Sequence, residues 1–248
     1  MQNNIISFSG GKDSTAMALE MLERGEDIHS VVAFDTGWEF PQMLEHWDEF
    51  EKYTGLEIVK LYPKEPFSYW LFDRPIIARK GPNKGRVHRY GNGWPSPMRR
   101  WCTREKVNAI RRYLKSVESP MSCIGFAADE AHRAGSTSGK DIAQRYPLIE
   151  WDIDEAEALA VCKRHGFNWG GVYDHFSRVS CFCCPLQRIG DLRTLRKHFP
   201  EQWSQMLEWG ERCPGHNPGF RGYETVHDLE RRFAEEDKQG ELFGGTRC

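Results

Sequence analysis

Apolar and polar positions alternate in a regular order through the first half of the chain. Short apolar runs typical of strands are each followed by a polar turn and then by apolar residues at helical spacing. The predicted strands are Asn3–Phe8, Ile28–Phe34, Leu56–Leu61 and Ser122–Phe126. One predicted helix begins near Thr15, and two others span Gln42–Tyr53 and Thr103–Leu114. This order predicts an α/β fold, with a parallel sheet that carries helices on both faces. Such folds bind ligands at the carboxyl ends of their strands.

The pattern changes after Leu148, where helical spacing takes over. Asn168–Pro185 is rich in turns and cysteines, and helices are predicted on either side of it: Asp154–His165 with Asp154 as N-cap, Arg188–His198, Glu201–Glu211 and Val226–Glu236. We therefore predict an α/β domain over residues 1–150 and a smaller helical, cysteine-rich region over residues 151–248.

Composition narrows the class of protein. The chain has 248 residues, 39% of them hydrophobic, and a formal net charge of −2. No apolar run approaches the length of a membrane span, and the sequence opens with a strand pattern rather than a signal peptide. Eight cysteines without an export signal favour metal, cluster or redox chemistry over disulfide bonds. We therefore expect a cytoplasmic enzyme that does not engage a membrane.

Basic residues are concentrated in one segment. Residues 74–115 contain thirteen lysines and arginines and a single acidic residue. The Gly- and Pro-rich part of this segment, residues 80–97, interleaves three side chains able to stack: His88, Tyr90 and Trp94. Basic groups with stacking rings suit a polyanion, either nucleic acid or a phosphate-bearing small substrate. A solvated loop that binds nothing is the third interpretation.

The turn after the first predicted strand has the chemistry of a phosphate cradle. Ser9–Ser14 reads SGGKDS and leads directly into a helix. Glycines let backbone N–H groups approach an anion, the helix N-terminus adds partial positive charge, and Lys12 adds a full one. The order is not that of a Walker A loop, because Asp13 separates the lysine from the serine and the upstream glycine is missing.

SGGKDS after an N-terminal strand resembles the PP-loop of the ATP pyrophosphatase superfamily, the adenine nucleotide α-hydrolases, which includes the phosphoadenylylsulfate (PAPS) reductases and thiolation enzymes. The resemblance implies a Rossmann-like (HUP-type) fold, bound ATP with Mg²⁺, and attack at the α-phosphorus. It also implies nucleotide contacts from the whole loop and catalytic roles for two of its residues, Lys12 and Asp13. The loop residues are Ser9, Gly10, Gly11, Lys12, Asp13 and Ser14.

A second turn carries a motif of the same superfamily. Asp35–Pro41 reads DTGWEFP and is similar to the D/N-T-G-x-x-F-P stretch of adenylylsulfate reductases. The resemblance implies that Asp35, Thr36 and Gly37 help to shape the adenosine pocket. The carboxylate of Asp35 or Glu39 also has the chemistry to hold a metal that bridges phosphates.

A third turn follows the fourth predicted strand and is similar to the family pattern G-x-R-x-D-E-x-x-R. The chain keeps Gly125, Asp129, Glu130 and Arg133 but has Ala127 where the first arginine of the pattern falls. The resemblance implies that the glycine and both acids contact the nucleotide. Arg133 is the candidate oxyanion partner in catalysis.

Four cysteines form the candidate metal site. Cys181 and Cys184 make a C-x-x-C followed by proline, and Cys102 lies at the start of a predicted helix, where a thiolate is favoured. The pattern resembles PP-loop proteins with a 4Fe–4S cluster, such as the DNA phosphorothioation branch, and implies ligation by these three cysteines and a fourth. Cys213 is the preferred fourth ligand and Cys183 the alternative. Zinc is the alternative metal, because the same spacing serves both.

The remaining cysteines have other predicted roles. Cys123 lies on a predicted strand and Cys162 on the apolar face of a helix, so both are predicted to belong to the core. Cys248 ends the chain and is either a mobile thiol that accepts or passes sulfur or an ordinary chain end.

Three functions fit these features. The first is an ATP-using sulfurtransferase that adenylylates an acceptor, releases pyrophosphate and passes sulfur to tRNA or DNA, with a cysteine desulfurase as a possible donor. The second is an adenylylsulfate or phosphoadenylylsulfate reductase, against which the absence of the family's E-C-G-x-H tail and the alanine at position 127 count. The third is a nucleotide- and nucleic-acid-binding module without turnover.

Overall fold

The computed structural model describes residues 2–135, 142–179, 181–215 and 218–244, with residues 240–244 as backbone only. The chain divides into two compact units, each built from two segments. The first unit comprises Met1–Lys64 and Thr103–Cys181, and the second comprises Glu65–Cys102 and Phe182–Cys248. The sequence predicted a single boundary near residue 150 instead, and that domain boundary stays a prediction.

The strands of the described residues are β1 (Asn3–Phe8), β2 (Ser30–Phe34), β3 (Ile58–Leu61), β4 (Pro75–Ile77), β5 (Val87–Tyr90), β6 (Pro120–Ile124) and β7 (Ala143–Arg145). The α-helices are α1 (Lys12–Glu23), α2 (Pro41–Thr54), α3 (Trp101–Leu114), α4 (Pro147–Glu150), α5 (Glu155–Arg164), α6 (Val172–His175), α7 (Ile189–His198), α8 (Pro200–Arg212) and α9 (Val226–Gly244). Short 3₁₀ turns cover Ala128–Arg133 and Trp169–Gly171, and a single π-helical turn covers Tyr69–Asp73.

One parallel sheet organises the first unit, with the strand order β3-β2-β1-β6-β7. β1 lies at its centre, where Ile6 is opposite Val31 of β2 on one side and Cys123 of β6 on the other. The order of strands reverses beside β1, and open α/β sheets bind their ligands at the carboxyl end of such a point. The predicted α/β, Rossmann-like fold is confirmed.

Local sequence explains where the helices of this unit begin and end. Pro41 opens α2 at a position where a missing N–H costs nothing, and Gly55 closes the helix with a left-handed φ of +72°. Asp154 caps α5 as predicted, because its carboxylate accepts the N–H of Glu157 at 2.8 Å. α1 is buried continuously from Ser14 to Met21, so it lies inside the unit rather than on its surface.

The second unit contains the β4–β5 antiparallel hairpin and the helices α7, α8 and α9. Its core is aromatic: the ring centroids of Trp94 and Phe220 are 5.0 Å apart, and those of Trp94 and Trp209 are 6.4 Å apart. Trp94 is 1% exposed. It therefore belongs to the core and does not offer the stacking face that the sequence predicted. Within the described ranges, every helix is too short or too polar to span a bilayer.

Candidate functional site

The Ser9–Ser14 loop joins β1 to α1 and is shaped by close packing. Gly10 has a φ of +75°, and a Cβ at this position would lie 2.1 Å from Nε1 of Trp47, so only glycine fits. Ser14 Oγ accepts the N–H of Ser9 at 3.2 Å and donates to the carbonyl of Gly11 at 3.1 Å. These bonds close the loop on itself.

Lys12 carries the positive charge of this loop and is 5% exposed. Its ammonium lies 2.8 Å from Oδ1 of Asp13 and 2.8 Å from Oε2 of Glu155. Burial works against the charge, but the hydrogen bonds to the two carboxylates outweigh it, so the pKa of Lys12 is raised. The amine is therefore a cation held in place between two acidic side chains.

The acidic surroundings also act on Asp13. Burial raises the pKa of its carboxyl, Lys12 lowers it, and the charges of Glu155 and Glu130 raise it further. The Lys12 ammonium thus lies between two carboxylates at the start of α1, and the charge of a third acidic residue, Glu130, acts on one of them, Asp13. An anion that binds here has to compete with these carboxylates or arrive with a cation of its own.

Two aromatic residues that the sequence analysis did not select brace the loop from outside. Trp169 donates its indole N–H to the carbonyl of Gly10 at 2.7 Å, and the hydroxyl of Tyr173 accepts the N–H of Lys12 at 2.8 Å. Glu155 was also missed. All three are more than 140 positions from their partners in the loop. No local pattern signals such contacts, which depend on the folded chain.

The second predicted turn follows β2, and several of its hydrogen bonds join residues of the turn itself. Gly37 donates its N–H to Oδ1 of Asp35 at 2.7 Å, and the hydroxyl of Thr36 donates to Oε1 of Glu39 at 2.7 Å. Burial raises the pKa of Glu39, whereas the hydrogen bond from Thr36 lowers it. Sγ of Cys181 lies 3.5 Å from the hydroxyl of Thr36, which places this cysteine beside the turn.

The third predicted turn follows β6 and packs on the start of α1. A Cβ on Gly125 would lie 2.9 Å from the backbone nitrogen of Ser14, so glycine is needed for this approach. Glu130 forms an ion pair with Arg133, whose guanidinium lies 4.2 Å from the ring centroid of Phe126. Asp129 is exposed. The fold therefore brings Gly125 to the phosphate loop.

The three turns follow β2, β1 and β6, which are adjacent in the sheet. The contacts of Gly125 with Ser14 and the electrostatic effect of Glu130 on Asp13 join the first and third turns directly. Nucleotide contact by the predicted residues stays a prediction. Their placement at one edge of the sheet is a feature of the fold.

The predicted metal ligands are divided between the two units, with Cys181 in the first and Cys102, Cys184 and Cys213 in the second. In the part of the chain that the structure describes, no three cysteine, histidine or acidic side chains are grouped as metal ligands. The ligand set stays a prediction, and no chemical step below depends on it.

Four of the cysteines are buried: Cys123, Cys162, Cys183 and Cys213. Cys123 and Cys162 are fully buried, which confirms that they belong to the core, and Cys183 is 1% exposed. Burial raises the pKa of the Cys213 thiol to about 11. Cys248 lies outside the described residues.

A shallow basic groove of about 550 Å³ lies on the first unit. Its lining combines four basic side chains with one acidic and one amide side chain: Lys64, Arg111, Arg112, Lys115, Glu105 and Asn108. Five of these six residues are on or directly after α3. The basic segment predicted from the sequence therefore contributes its last part to this groove.

Residues 3–187 match the family model of the phosphoadenosine phosphosulfate reductase domain. The match covers β1 to the cysteine-rich segment and includes all three turns of the site.

The chain is also similar to proteins without an assigned activity. Two uncharacterised proteins of Methanocaldococcus jannaschii are 25% and 22% identical to it, over 87% and 82% of this chain. An uncharacterised 37.8 kDa protein of Escherichia phage 186 is 27% identical over 83% of this chain and 74% of its own length. The chain spans only 43% and 46% of the length of the two archaeal relatives.

Proposed function

The chain belongs to the phosphoadenosine phosphosulfate reductase domain family, and from this premise we propose that it is an ATP-dependent enzyme that adenylylates an acceptor for sulfur transfer. The observation that carries the proposal is the buried ammonium of Lys12 at the start of α1, at the point where the strand order reverses. A cation and helix amides in this position suit the terminal phosphates of a nucleotide.

The proposed reaction needs no redox step. An acceptor oxygen attacks the α-phosphorus of ATP, a new O–P bond forms, the bond between the α-phosphorus and its bridging oxygen breaks, and pyrophosphate leaves with that oxygen. Lys12 and the loop amides stabilise the negative charge that develops on the pyrophosphate. Sulfur at the oxidation level of sulfide, from a separate donor, then displaces AMP from the activated acceptor.

The carboxylates around Lys12 suit a magnesium ion that arrives with the nucleotide. Mg²⁺ is usually held by one or two carboxylates together with substrate phosphates. Asp13 and Glu155, both on the Lys12 ammonium, are the residues that would hold it. When bound, the ion would neutralise phosphate charge, and Lys12 would then exchange its carboxylate partners for phosphate oxygens.

We propose nucleic acid as the acceptor because of the groove beside α3. Four basic side chains and one acidic side chain line it, so its positive charge complements the negative charge of a phosphodiester backbone. Two of the lining residues, Arg112 and Lys115, are exposed and lie three positions apart. The groove lies in the same unit as the phosphate loop.

Pyrophosphate release from ATP, measured with and without tRNA and duplex DNA, tests the proposed function. We expect release to depend on the acceptor and to fall roughly 100-fold in Lys12→Ala, the usual scale for loss of a charge-stabilising donor. Lys60→Ala is the matched control, because Lys60 also pairs with two carboxylates, Asp48 and Glu51, at 3.1 and 3.2 Å. Full activity of folded Lys12→Ala would remove the loop from the mechanism.

Reduction of an adenylylsulfate is the second candidate, and the family match itself favours it. Sulfite release from adenylylsulfate or its 3′-phosphorylated form, with a thiol reductant present, tests this reaction in the same preparation. Sulfite release without acceptor-dependent pyrophosphate release would replace the sulfurtransferase proposal by this one.

A further inference from the structure

The hydroxyl of Tyr173 is hydrogen-bonded to a backbone amide of the phosphate loop. It accepts the N–H of Lys12, the first residue of α1, at 2.8 Å. The first amides of a helix have no partner within the helix and are the groups that bind phosphate. The same hydroxyl lies 3.2 Å from the position of a Cβ on Gly11, so it borders the loop at two successive residues.

The phenol has a hydrogen left to donate. Burial raises the pKa of Tyr173, so the group is neutral at physiological pH. A neutral phenol accepts through its oxygen and donates through its O–H at the same time. The amide of Lys12 uses the oxygen, and this polarises the O–H bond and makes its hydrogen a stronger donor.

The chain around Tyr173 is built to hold the ring in this position. Trp169 packs edge-on against it with ring centroids 4.7 Å apart, and its indole bonds the carbonyl of Gly10 at 2.7 Å. Trp169 has a φ of +52°, a left-handed conformation that costs a non-glycine residue roughly 1 kcal/mol or more. Gly170 and Gly171 continue in the same region, at +56° and +83°. A strained segment thus delivers two aromatic side chains to one loop.

We propose that Tyr173 is a further phosphate-binding residue, which stays bonded to the Lys12 amide and donates its hydroxyl hydrogen to a phosphate oxygen of the nucleotide. The inference rests on the proposed function, since it assigns a ligand contact at the same loop. The Tyr173 hydroxyl then lies between the Lys12 amide and the phosphate, accepting from the first and donating to the second. The alternative is that the Tyr173 hydroxyl accepts the Lys12 N–H only in the absence of a ligand and is displaced when a phosphate oxygen accepts that N–H.

Tyr173→Phe separates these two roles. Binding of ATP, inorganic pyrophosphate and adenosine is measured by calorimetry for the wild type and the variant. A donated bond to a charged oxygen predicts a loss of about 10- to 100-fold in affinity for ATP and pyrophosphate, with adenosine within about two-fold. Unchanged or tighter binding of pyrophosphate would overturn the proposal, because removing a hydroxyl that phosphate displaces frees the amide.

Two controls keep the outcomes distinct. Tyr53→Phe removes a hydroxyl of the same unit, which contacts His165 Nδ1 at 2.9 Å, and is expected to leave all three affinities unchanged. Lys12→Ala tests the loop itself: if it weakens ATP binding and Tyr173→Phe does not, only the role of Tyr173 fails. If neither variant weakens it, the proposed function fails as well.

A second variant covers the case in which Tyr173→Phe does not fold, which loss of adenosine binding would reveal. Replacing Tyr173 by 3-fluorotyrosine keeps the ring and hydroxyl but makes the hydroxyl a better donor and a poorer acceptor. Pyrophosphate affinity is expected to rise if the hydroxyl donates to phosphate. A fall in affinity contradicts the proposal.

Discussion

His46 contacts α1 directly after the phosphate loop. It is fully buried on α2, and its Nε2 lies 2.9 Å from the hydroxyl of Thr15 on α1. Its ring packs against Trp169 and Phe167, with centroid distances of 4.5 and 5.0 Å. Burial lowers the pKa of this histidine to about 4, so the folded protein holds it neutral.

This burial predicts a pH-dependent stability. Between about pH 6.5 and 4 the unfolded chain binds a proton at His46 that the folded protein does not, so stability falls as the pH falls. The loss is at most about 1.4 kcal/mol per pH unit. His46→Gln cannot titrate but can still bond Thr15. We expect the difference in unfolding free energy between wild type and variant, from urea titrations, to change over this range. A constant difference would contradict the prediction.

At the residue scale, the sequence predicted the position of the phosphate loop but not what surrounds it. SGGKDS is a local signal, because the glycines, the lysine and the helix start are consecutive. The counter-ion Glu155 and the hydroxyl of Tyr173 reach Lys12 across 143 and 161 positions. Such contacts follow from tertiary packing, which no spacing rule contains.

At the scale of elements, α5 connects local sequence to the site. Its N-cap, Asp154, precedes Glu155 directly, and Glu155 is the first helical residue and a partner of Lys12. On the inner face of the same helix, Cys162 donates its thiol hydrogen to the carbonyl of Lys12 at 3.3 Å. The start of α5 therefore fixes the counter-ion of the phosphate loop.

Removal of this cap has a predictable cost. Asp154→Ala loses the bond to the N–H of Glu157 and is expected to destabilise the protein by about 1 kcal/mol. Asp154→Ser retains a hydroxyl acceptor and should recover most of that loss. Guanidinium titrations of both variants measure the difference. An alanine variant as stable as the wild type would show that the cap contributes nothing.

The elements that the sequence missed are those with weak local signals. β7 has three residues and gains its identity from pairing with β6, where Cys123 lies opposite Arg145. The β4–β5 hairpin falls partly within the segment read as a Gly- and Pro-rich loop, and its register is irregular between Ile76 and Ile77. The long periodic helices, by contrast, were predicted to within a few residues, except that α9 continues further. Periodicity is visible in sequence, whereas pairing between short strands is not.

At the scale of the whole molecule, charge is distributed unevenly although its sum is small. The formal net charge is −2, yet the basic segment has thirteen basic residues and one acidic residue. The structure divides that segment: its residues up to Cys102 belong to the second unit, and those from Thr103 belong to the first. The groove beside α3 uses only the latter part, together with Lys64. Binding of a polyanion there depends on local charge and not on the net charge.

The groove makes a quantitative prediction about salt. Each phosphate that a basic side chain neutralises adds about 0.9 to the slope of log affinity against log salt for duplex DNA, because counterions are released. Lys64→Gln combined with Arg112→Gln removes two charges from the groove and should reduce the slope by between about one and two. Binding is measured by fluorescence anisotropy at several salt concentrations.

The matched control removes the same charge from elsewhere in the first unit. Lys52 and Lys163 are exposed on α2 and α5, away from the groove lining, so Lys52→Gln combined with Lys163→Gln gives the same change in net charge. A general electrostatic attraction would lower the slope equally in both double variants, since long-range charge is then all that matters. A local site lowers the slope only in the groove variant. Equal slopes in the two double variants would therefore show that the groove is not the nucleic-acid contact.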